Sequence, residues 1–231
     1  RVLFRSNICA RCVMPESPPE ITFNAQGVCS LCQEHARAAA QTKTEAQFLE
    51  SDFTKILAKN KGTGQFDCLV MCSGGKDSTA ALFYMVRKYK ARVLAFTFDN
   101  GFETEDALSN VRRAVQILKV DFLTYSSTFM HDMFEKVLRT NSQVVLCHLC
   151  SMWYMDLSYK MAARFDIPII IAGWTKGQST KQPMMSKCGC NVAQPEYKRM
   201  GQATKEFLEK HVKNDPKYAD FPTSKIGRAH V

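Results

Sequence analysis

The 231-residue sequence predicts an α/β fold, a doubly wound parallel sheet with a small cysteine module in front of it. Short apolar runs of strand length alternate with longer segments whose apolar residues recur at helical spacing. One apolar run, residues 66–72, passes through two glycines directly into a helical pattern, and two C-x-x-C pairs lie near the start of the chain. Alternating strands and helices imply a parallel sheet covered on both faces, with ligands at the carboxyl ends of its strands.

The predicted strands and helices alternate along the second part of the chain. The strands cover residues 67–72, 92–98, 122–125 and 168–172, and the helices cover residues 77–90, 103–118, 129–138, 151–165 and 202–212. In several helices the apolar side chains share one face, which we expect to point at the sheet. These faces carry Ala81, Leu82, Met85 and Val86, then Val111, Ala114, Val115 and Leu118, and finally Phe207, Leu208 and Val212.

The part of the chain before the first strand divides in two. The cysteine pairs come first, and a polar, Ala-rich segment with apolar residues near helical spacing follows them. We expect one or two helices in that segment, ending in a loop that contains Gly62 and Gly64. The predicted organisation is a cysteine module over 7–35, a helical linker over 36–65 and an α/β domain over 66–213.

Composition favours a cytoplasmic protein that handles anionic ligands. A hydrophobic content of 45% is normal for a globular protein, and we find neither a run that would span a membrane nor a signal peptide. The net charge of +9 suits nucleotides, sugar nucleotides and tRNA alike, so it does not choose among them. Ten cysteines, mostly in close pairs, favour metal or redox chemistry over disulfides in such a compartment.

The two ends of the chain look foreign to the rest. DNA strings that can encode residues 1–6 and 226–231 are reverse complements over most of their length and resemble a sequencing adapter. We therefore expect both hexapeptides to be non-native and give their residues no functional weight. The proline-spaced residues 215–222 suggest that the fragment stops inside a longer protein.

The turn between the first strand and its helix has the chemistry of a phosphate site. We call it the glycine loop, and its residues are Ser73, Gly74, Gly75, Lys76, Asp77 and Ser78. Glycines let backbone N–H groups approach a ligand, and a helix N-terminus adds unpaired donors and partial positive charge. The common nucleotide loop needs a glycine where this chain has Val70, so this is a different loop.

The glycine loop resembles the pyrophosphate loop of the PP-loop ATP pyrophosphatases, which have the Rossmann-like adenine nucleotide alpha hydrolase fold. GMP and NAD synthetases, argininosuccinate synthetase and tRNA thiolases belong to that superfamily. The resemblance implies that the loop grips the β- and γ-phosphates of ATP while a substrate oxygen is adenylated and pyrophosphate leaves. It also implies that Lys76 and Mg²⁺ neutralise the pyrophosphate. Asp77 would either help to hold Mg²⁺ or act as an acidic first-turn residue of the helix.

The first four paired cysteines predict a zinc site. Cys9 and Cys12 are separated from Cys29 and Cys32 by sixteen residues, which fits a Cys₄ zinc module. A closed Cys₄ site leaves no open coordination position, so we interpret it as structural. A nucleic-acid-binding zinc module is the alternative, although the segment has few basic residues besides Arg11.

The same segment resembles the start of the N-acetyl sugar amidotransferases of bacterial surface-polysaccharide and nonulosonate pathways. The motifs that carry the resemblance are Cys9-x-Arg11-Cys12-Val13-Met14-Pro15, Pro19-x-Ile21-x-Phe23 and Gly27-Val28-Cys29-x-x-Cys32. That family places the cysteine module before the pyrophosphate loop, as here, and the resemblance extends to about Gly173. It implies that ATP adenylates an acetamido oxygen and that ammonia then displaces AMP, leaving an acetamidino group. Because the chain shows no glutaminase domain, we expect a separate glutaminase subunit to supply the ammonia.

Two further strand ends are predicted to meet the nucleotide. The PP-loop resemblance implies that Phe98 and Asp99 contact adenine and ribose, while a plain Asn-Gly turn after Asp99 is the alternative. It also implies that Gly173 lies near the α-phosphate. For the next residue, Trp174, a packing role and a substrate contact both remain open.

A second group of cysteines is predicted at the same edge of the sheet. Cys147 and Cys150 come just before the predicted helix 151–165, where a helix N-terminus favours thiolates, and Cys188 and Cys190 follow the last strand. They are candidates for a second metal site or an iron–sulfur cluster of the 4Fe–4S type. A structural zinc or free thiols are the alternatives. His148 is either a further ligand or, as is more usual for a histidine between two cysteines, a bystander.

The sequence therefore predicts an ATP-dependent amidotransferase that acts on an N-acetylated sugar or sugar nucleotide, with ATP, Mg²⁺ and Zn²⁺ as its cofactors. The alternative enzyme is a tRNA thiolase or another sulfur transferase, in which Cys147 and Cys150 carry a cluster or persulfide. From a different class, a zinc-ribbon protein that binds nucleic acid and uses ATP only for switching is also compatible with the basic charge.

Overall fold

A computed structural model describes most of the chain, and it divides the chain into two compact units, Arg1–Lys59 and Asn60–Val231. The described residues are 7–19, 21–174 and 194–223, without the side chains of 38–46, 194–198 and 200. The predictions made for Cys188, Cys190 and the two terminal hexapeptides lie outside these residues.

The first unit contains the cysteine module and one long helix. Short antiparallel bridges join Ile8 to Pro15, Ser17 to Ile21, and Phe23 to Cys29. Helix α1 (Ser30–Asn60) then runs without interruption for 31 residues, so the one or two helices predicted from the apolar spacing are one. It begins immediately after Cys29, which places Cys32 in its first turn.

The second unit is built on a four-stranded parallel sheet. Its strands are β1 (Cys68–Met71), β2 (Val93–Asp99), β3 (Asp121–Ser126) and β4 (Ile170–Ala172), in the order β3-β2-β1-β4. Every pairing is parallel, which confirms the predicted fold class. The chain passes from β1 outward to β3 and then crosses to the other side of β1. The strand order therefore reverses at β1, and ligands in open α/β sheets bind at such a switch point.

Helices connect the strands and cover the sheet. They are α2 (Lys76–Arg87), α3 (Glu105–Leu118), α4 (Phe129–Arg139), α5 (Leu146–Arg164) and α6 (Gln194–His211), followed by a 3₁₀ turn at Pro216–Tyr218. Within residues 7–19, 21–174 and 194–223, we find no helix that is both long enough and apolar enough to cross a membrane.

Two helices begin five or more residues earlier than predicted. Helix α5 starts at Leu146 rather than at residue 151, because Val145 is the extended N-cap and no glycine or proline interrupts the segment that follows. Helix α6 starts at Gln194 rather than at residue 202. Gly201 lies inside this helix, and a single glycine costs only about 1 kcal/mol in a helix and does not end it.

Alternate residues of the strands face two apolar layers. Leu69 and Met71 of β1 and Phe96 of β2 belong to one large cluster that also contains buried residues of α4, α5 and α6. On the other face, Leu82 and Met85 of α2 are buried, as their helical spacing predicts. Strands buried on both faces are near-continuous apolar runs, which explains why 66–72 shows no polar alternation.

The apolar core of the second unit extends past α6. Phe207, Leu208 and Val212 are buried, which confirms the inward face predicted for this helix. Tyr218 and Phe221 belong to the same cluster, although both lie beyond residue 213, where we placed the end of the domain. The proline-spaced tail is therefore part of the packed structure up to Phe221.

Candidate nucleotide site and cysteine cluster

The glycine loop joins the end of β1 to the start of α2, at the point where the strand order reverses. Gly74 has a φ of +76°, a left-handed conformation that a side chain would strain. Gly75 is the N-cap of α2, and no side chain caps the first turn. The amide groups at this helix start are therefore available to an anion, as predicted from the sequence.

Ser78 holds the glycine loop together from the inside. Its hydroxyl donates to the carbonyl oxygen of Gly75 at 3.1 Å and accepts from the backbone N–H of Ser73 at 3.2 Å. The hydroxyl groups of Ser73 and Ser78 are also 3.2 Å apart. Ser78 is buried and Ser73 is exposed, so the structure gives Ser78 a supporting position and leaves Ser73 facing the solvent side.

Close backbone packing requires two of the glycines near this loop. A Cβ atom on Gly74 would lie 2.2 Å from the carbonyl oxygen of Ala107 in α3. A Cβ atom on Gly173, just after β4, would lie 2.5 Å from the backbone nitrogen of Ser78. Gly173 therefore lies directly against the start of α2, and close packing explains why this residue is a glycine. From the sequence, we predicted that Gly173 lies near the α-phosphate of the nucleotide.

Lys76 and Asp77 form the charged part of the loop. The Lys76 ammonium lies 2.6 Å from the carboxylate of Asp77, and the two side chains are 86% and 38% exposed. Both charges face solvent at the first turn of α2, where Asp77 also has the position of an acidic first-turn residue. A phosphate group can reach Lys76 from solvent without disturbing the core.

The loop after β2 is held by its own side chains. One carboxylate oxygen of Asp99 accepts the backbone N–H of Gly101 at 2.9 Å, and the other accepts the hydroxyl of Ser126 at 3.2 Å. The backbone N–H of Phe102 donates to the side-chain oxygen of Asn100 at 2.8 Å. The side chain of Phe98 is buried. Asp99 therefore stabilises this turn, and a plain turn was one of the two alternatives for this segment; the other was contact with the nucleotide.

A cleft at the carboxyl edge of the sheet connects the glycine loop to α5. The residues that line it are Cys72, Ser73, Thr97, Phe98, Asn100, Glu103, Leu108, Val111, Cys150 and Tyr154. The structure therefore brings the predicted Ser73, Phe98 and Cys150 to one cavity. Trp174 does not line this cleft, and its side chain is 49% exposed.

Cys150 faces the cleft, but its environment differs from the prediction. The side-chain nitrogen of Asn100 donates to its sulfur at 3.3 Å. Burial raises the pKa of the Cys150 thiol, the hydrogen bond from Asn100 opposes this, and the nearby Cys147 and Glu103 raise the pKa further. We expected a thiolate at the start of a helix. Because the helix begins at Leu146, Cys150 lies inside it and is more strongly affected by burial than by the helix end.

The other residues of this C-x-x-C segment have different surroundings. Cys147 is exposed. His148 is buried, and its Nδ1 lies 3.0 Å from the hydroxyl of Thr204 in α6. Among the described residues, Cys147 and Cys150 do not form a group of three or more potential metal ligands.

Glu103 and Tyr154 line the cleft but were not predicted as site residues. Glu103 was assigned to the start of a helix over 103–118, whereas the helix begins at Glu105. Thr104 is its N-cap and accepts the backbone N–H of Ala107, a signal that the sequence offers. Glu103 consequently stays in the loop, facing the cleft. Burial raises the pKa of its carboxyl, and the charge of Asp99 acts in the same direction.

The four N-terminal cysteines form a cluster that fits a metal ion. The sulfur atoms of Cys9, Cys12, Cys29 and Cys32 all lie within 4.8 Å of one another, and those of Cys12 and Cys29 are 3.6 Å apart. Tetrahedral zinc with Zn–S bonds of about 2.3 Å places its sulfur ligands about 3.8 Å apart. The spacing therefore fits the predicted Cys₄ site, which we call the Cys₄ cluster.

Backbone groups already favour negative charge in the Cys₄ cluster. The backbone N–H groups of Cys29 and Arg11 donate to the sulfur of Cys9 at 3.2 and 3.4 Å. The bond from Cys29 is the main cause that lowers the pKa of Cys9 to about 6. Hydrogen bonding to Cys12 raises the pKa of Cys32 to about 12, because neighbouring thiols share a proton. A bound cation would let all four sulfurs ionise together.

Part of the chain matches a known family model. Residues 67–152 match the family described as queuosine biosynthesis protein QueC. This range contains β1, the glycine loop, α2, β2 and the first residues of α5, and so includes most of the cleft. The match supports the placement of this segment among the ATP-using PP-loop proteins, the class that the glycine loop resembles.

One curated relative and two solved structures are similar to the chain. An uncharacterized protein of Methanocaldococcus jannaschii is 26% identical over 113 residues, which cover 49% of this chain. The chain spans only about 40% of the length of that relative. An NH₃-dependent NAD synthetase from Campylobacter jejuni has a TM-score of 0.45 and 18% identity, over 70% of this chain and 72% of its own. An NMN synthetase from Francisella tularensis has a TM-score of 0.43 and 15% identity, over 71% and 74%.

Proposed function

We propose that the protein is an ATP-dependent amidotransferase that converts the N-acetyl group of a sugar or sugar nucleotide to an acetamidino group. AMP and pyrophosphate are the other products. The observation that carries the proposal is the cleft that begins at the uncapped start of α2 and ends at α5. An ATP molecule held by the glycine loop directs its α-phosphate toward this cleft, where the acceptor can meet it.

The glycine loop supplies the electrostatic part of the reaction. Lys76 and the first-turn amide groups of α2 stabilise the negative charge that grows on the leaving pyrophosphate. Ser78 and Gly173 keep this helix start in place, since the first bonds the loop and the second packs against it. Mg²⁺, held in part by Asp77, would add positive charge at the same phosphates.

The choice of a sugar as acceptor is supported by the N-terminal module. The Cys₄ cluster and its flanking motifs resemble the N-acetyl sugar amidotransferases, in which a module of this kind precedes the pyrophosphate loop. Zinc in the closed cluster has a structural role, since four cysteines leave no position for a substrate. We further propose that the protein is cytoplasmic, takes a nucleotide-linked sugar, and receives ammonia from a separate glutaminase subunit in surface-polysaccharide biosynthesis.

Sulfur transfer to tRNA is the second candidate, and one observation favours it. Cys150 lines the same cleft as Ser73, and the exposed Cys147 lies three residues before it. In this case a persulfide or an iron–sulfur cluster on these cysteines delivers sulfur to the adenylated base. An anaerobic preparation with iron–sulfur absorbance, and thiolated tRNA as product, would replace the first proposal with this one.

Exchanging Lys76 for alanine tests the proposal at its centre. Pyrophosphate and AMP formation are measured with ATP, Mg²⁺, ammonium chloride and UDP-N-acetylglucosamine, with mass spectrometry of the sugar. Lys76→Ala should abolish both products and leave the fold intact, because the side chain is 86% exposed. Arg87→Ala, at the other end of α2, removes the same charge and should retain activity. Turnover in Lys76→Ala at the wild-type rate would rule out the loop assignment.

A further inference from the structure

Glu103 occupies a position in the cleft that the loop chemistry does not explain. It follows the tightly bonded turn after β2 and precedes the N-cap of α3, so its backbone is fixed from both sides. Its half-buried side chain lines the same cavity as Ser73 of the glycine loop and Cys150 of α5. Among the described residues that line this cavity, Glu103 is the only one with a carboxyl group.

The other polar side chains of the cleft are poor proton acceptors at neutral pH. The hydroxyl of Tyr154 donates to the carbonyl oxygen of Phe96 at 3.2 Å, and burial raises its pKa. The hydroxyl of Thr97 donates to the carbonyl oxygen of Cys72 at 2.7 Å. The thiol of Cys150 has a raised pKa and stays protonated. Glu103 supplies a carboxyl group, and a carboxylate accepts a proton far more readily than a hydroxyl or a protonated thiol does.

The proposed reaction needs such a group. An amide oxygen is a weak nucleophile, and it becomes a stronger one when the amide nitrogen loses its proton. In the first step the acetamido oxygen forms a bond to the α-phosphorus of ATP, and the bond from that phosphorus to the β-phosphate oxygen breaks. The nitrogen must give up its proton if the product is to be a neutral imidate ester. Ammonia then forms a bond to the imidate carbon, and the carbon–oxygen bond breaks to release AMP.

We propose that Glu103 is the catalytic base that takes the proton from the amide nitrogen of the acceptor during adenylation. The inference rests on the proposed function, because it assigns a role in that reaction. The proton moves to the Glu103 carboxylate, pyrophosphate leaves toward the glycine loop, and the protonated carboxyl later returns the proton to solvent. The charged or titratable groups that face Glu103 are Asp99 at the end of β2 and Cys150 and Tyr154 on α5.

The surroundings of Glu103 suit a base. Burial and the negative charge of Asp99 both disfavour its ionised form and so strengthen its affinity for a proton. General base catalysis by a positioned carboxylate contributes about 10²–10⁴-fold to a rate. Because Glu103 lies outside the glycine loop, its loss should affect the chemical step and not the binding of ATP.

The test compares Glu103→Gln with Glu105→Gln, which removes the same charge from an exposed position two residues away. Pyrophosphate release is measured with ATP, Mg²⁺ and ammonium chloride, using UDP-N-acetylglucosamine as acceptor and, separately, bulk tRNA with sulfide. We expect Glu103→Gln to lower kcat by about 100-fold or more while KM for ATP stays unchanged. Glu103→Asp should recover part of kcat, and Glu105→Gln should match the wild type.

The outcomes separate this inference from the proposed function. If pyrophosphate is released with tRNA and not with UDP-N-acetylglucosamine, the sugar proposal is overturned. Glu103→Gln is then compared with the wild type using tRNA, whose base also loses an N–H proton. Wild-type kcat in Glu103→Gln with either active acceptor overturns the role of Glu103. If neither acceptor reacts, the deciding measurement is alkylation of Cys150 by iodoacetamide in a Cys147→Ser background. If Cys150 is alkylated faster in Glu103→Gln, this supports the placement of Glu103 beside Cys150. An alkylation rate equal to that of the parent protein overturns this placement.

Discussion

Replacing Gly173 by alanine should impair both stability and nucleotide chemistry through a single contact. Gly173 follows β4, and a Cβ atom there would lie 2.5 Å from both the nitrogen and the Cα of Ser78. These are backbone atoms at the start of α2, so no side-chain rotation can relieve the overlap. Either β4 or the helix start must move, and the helix start carries the predicted phosphate donors.

The size of the effect follows from the distance. Opening the contact from 2.5 Å to an ordinary 3.4 Å requires a shift of about 0.9 Å. Overpacking of this kind costs about 1–3 kcal/mol in unfolding free energy. For a chain of this length, each kcal/mol lowers Tm by about 2–4 °C. A displacement of about 1 Å in a positioning element can cost about 100-fold in rate, so we expect kcat/KM for ATP to fall by that order.

Thermal unfolding and pyrophosphate release measure the two consequences separately. Gly64→Ala is the matched control, because the nearest atom to its added Cβ is 3.4 Å away and its φ is not left-handed. This control should keep both Tm and kcat/KM. If Gly173→Ala behaves like Gly64→Ala in both measurements, then β4 does not position the start of α2 and the packing argument is wrong.

Three further predictions concern other parts of the structure. Gly74→Ala should abolish pyrophosphate release, because the new Cβ would lie 2.2 Å from the Ala107 carbonyl oxygen at a φ of +76°, and an activity assay checks this. Asp67 is buried, which raises its pKa, but hydrogen bonds from Arg92 and Gly62 prevail and lower the pKa to about 2. Ionised Asp67 therefore contributes about 2 kcal/mol above pH 4, which is lost as pH falls toward 2. Urea unfolding at pH 6 and pH 2.5 should show this loss in the wild type and not in Asp67→Asn. Removing zinc with a strong chelator should unfold the module around the Cys₄ cluster while the circular dichroism of the α/β unit persists, and retention of the module would contradict a structural metal.

The fold could be predicted because its signals are local and repeated. Strands β1, β2 and β4 are apolar runs next to helical patterns, and glycines mark the turn into α2. The Cys₄ cluster could be predicted just as readily from the sequence, because its four cysteines lie close along the chain at the spacing of zinc ligands. The predicted helix faces also agree with burial, as in Leu82 and Met85 of α2.

The composition of the cleft could not be predicted in the same way, because it depends on contacts between distant residues. The hydrogen bond from Asn100 to Cys150 joins residues fifty positions apart, and no pattern in either segment predicts it. The exact start of α3 decides whether Glu103 belongs to a helix or to the cleft, and helix boundaries are the hardest feature to predict from sequence patterns. The protonation of Cys150 depends on burial, which opposes the effect expected from a helix N-terminus.

The protonation of Cys150 also separates the two candidate nucleophiles. A thiol with a raised pKa needs a base before it can attack a sulfane-sulfur donor and form the persulfide that would deliver sulfur, and Glu103 is the only carboxyl among the described residues of the cleft. If the protein transfers sulfur, Cys150→Ser and Glu103→Gln should therefore lose activity together, and the double variant should be no worse than either single one. If ammonia is the nucleophile, the thiol takes no part in the attack. Cys150→Ser then keeps most of its turnover with ammonium chloride, whereas Glu103→Gln loses it. Equal losses in the ammonia reaction would contradict the amidotransferase proposal and favour sulfur transfer.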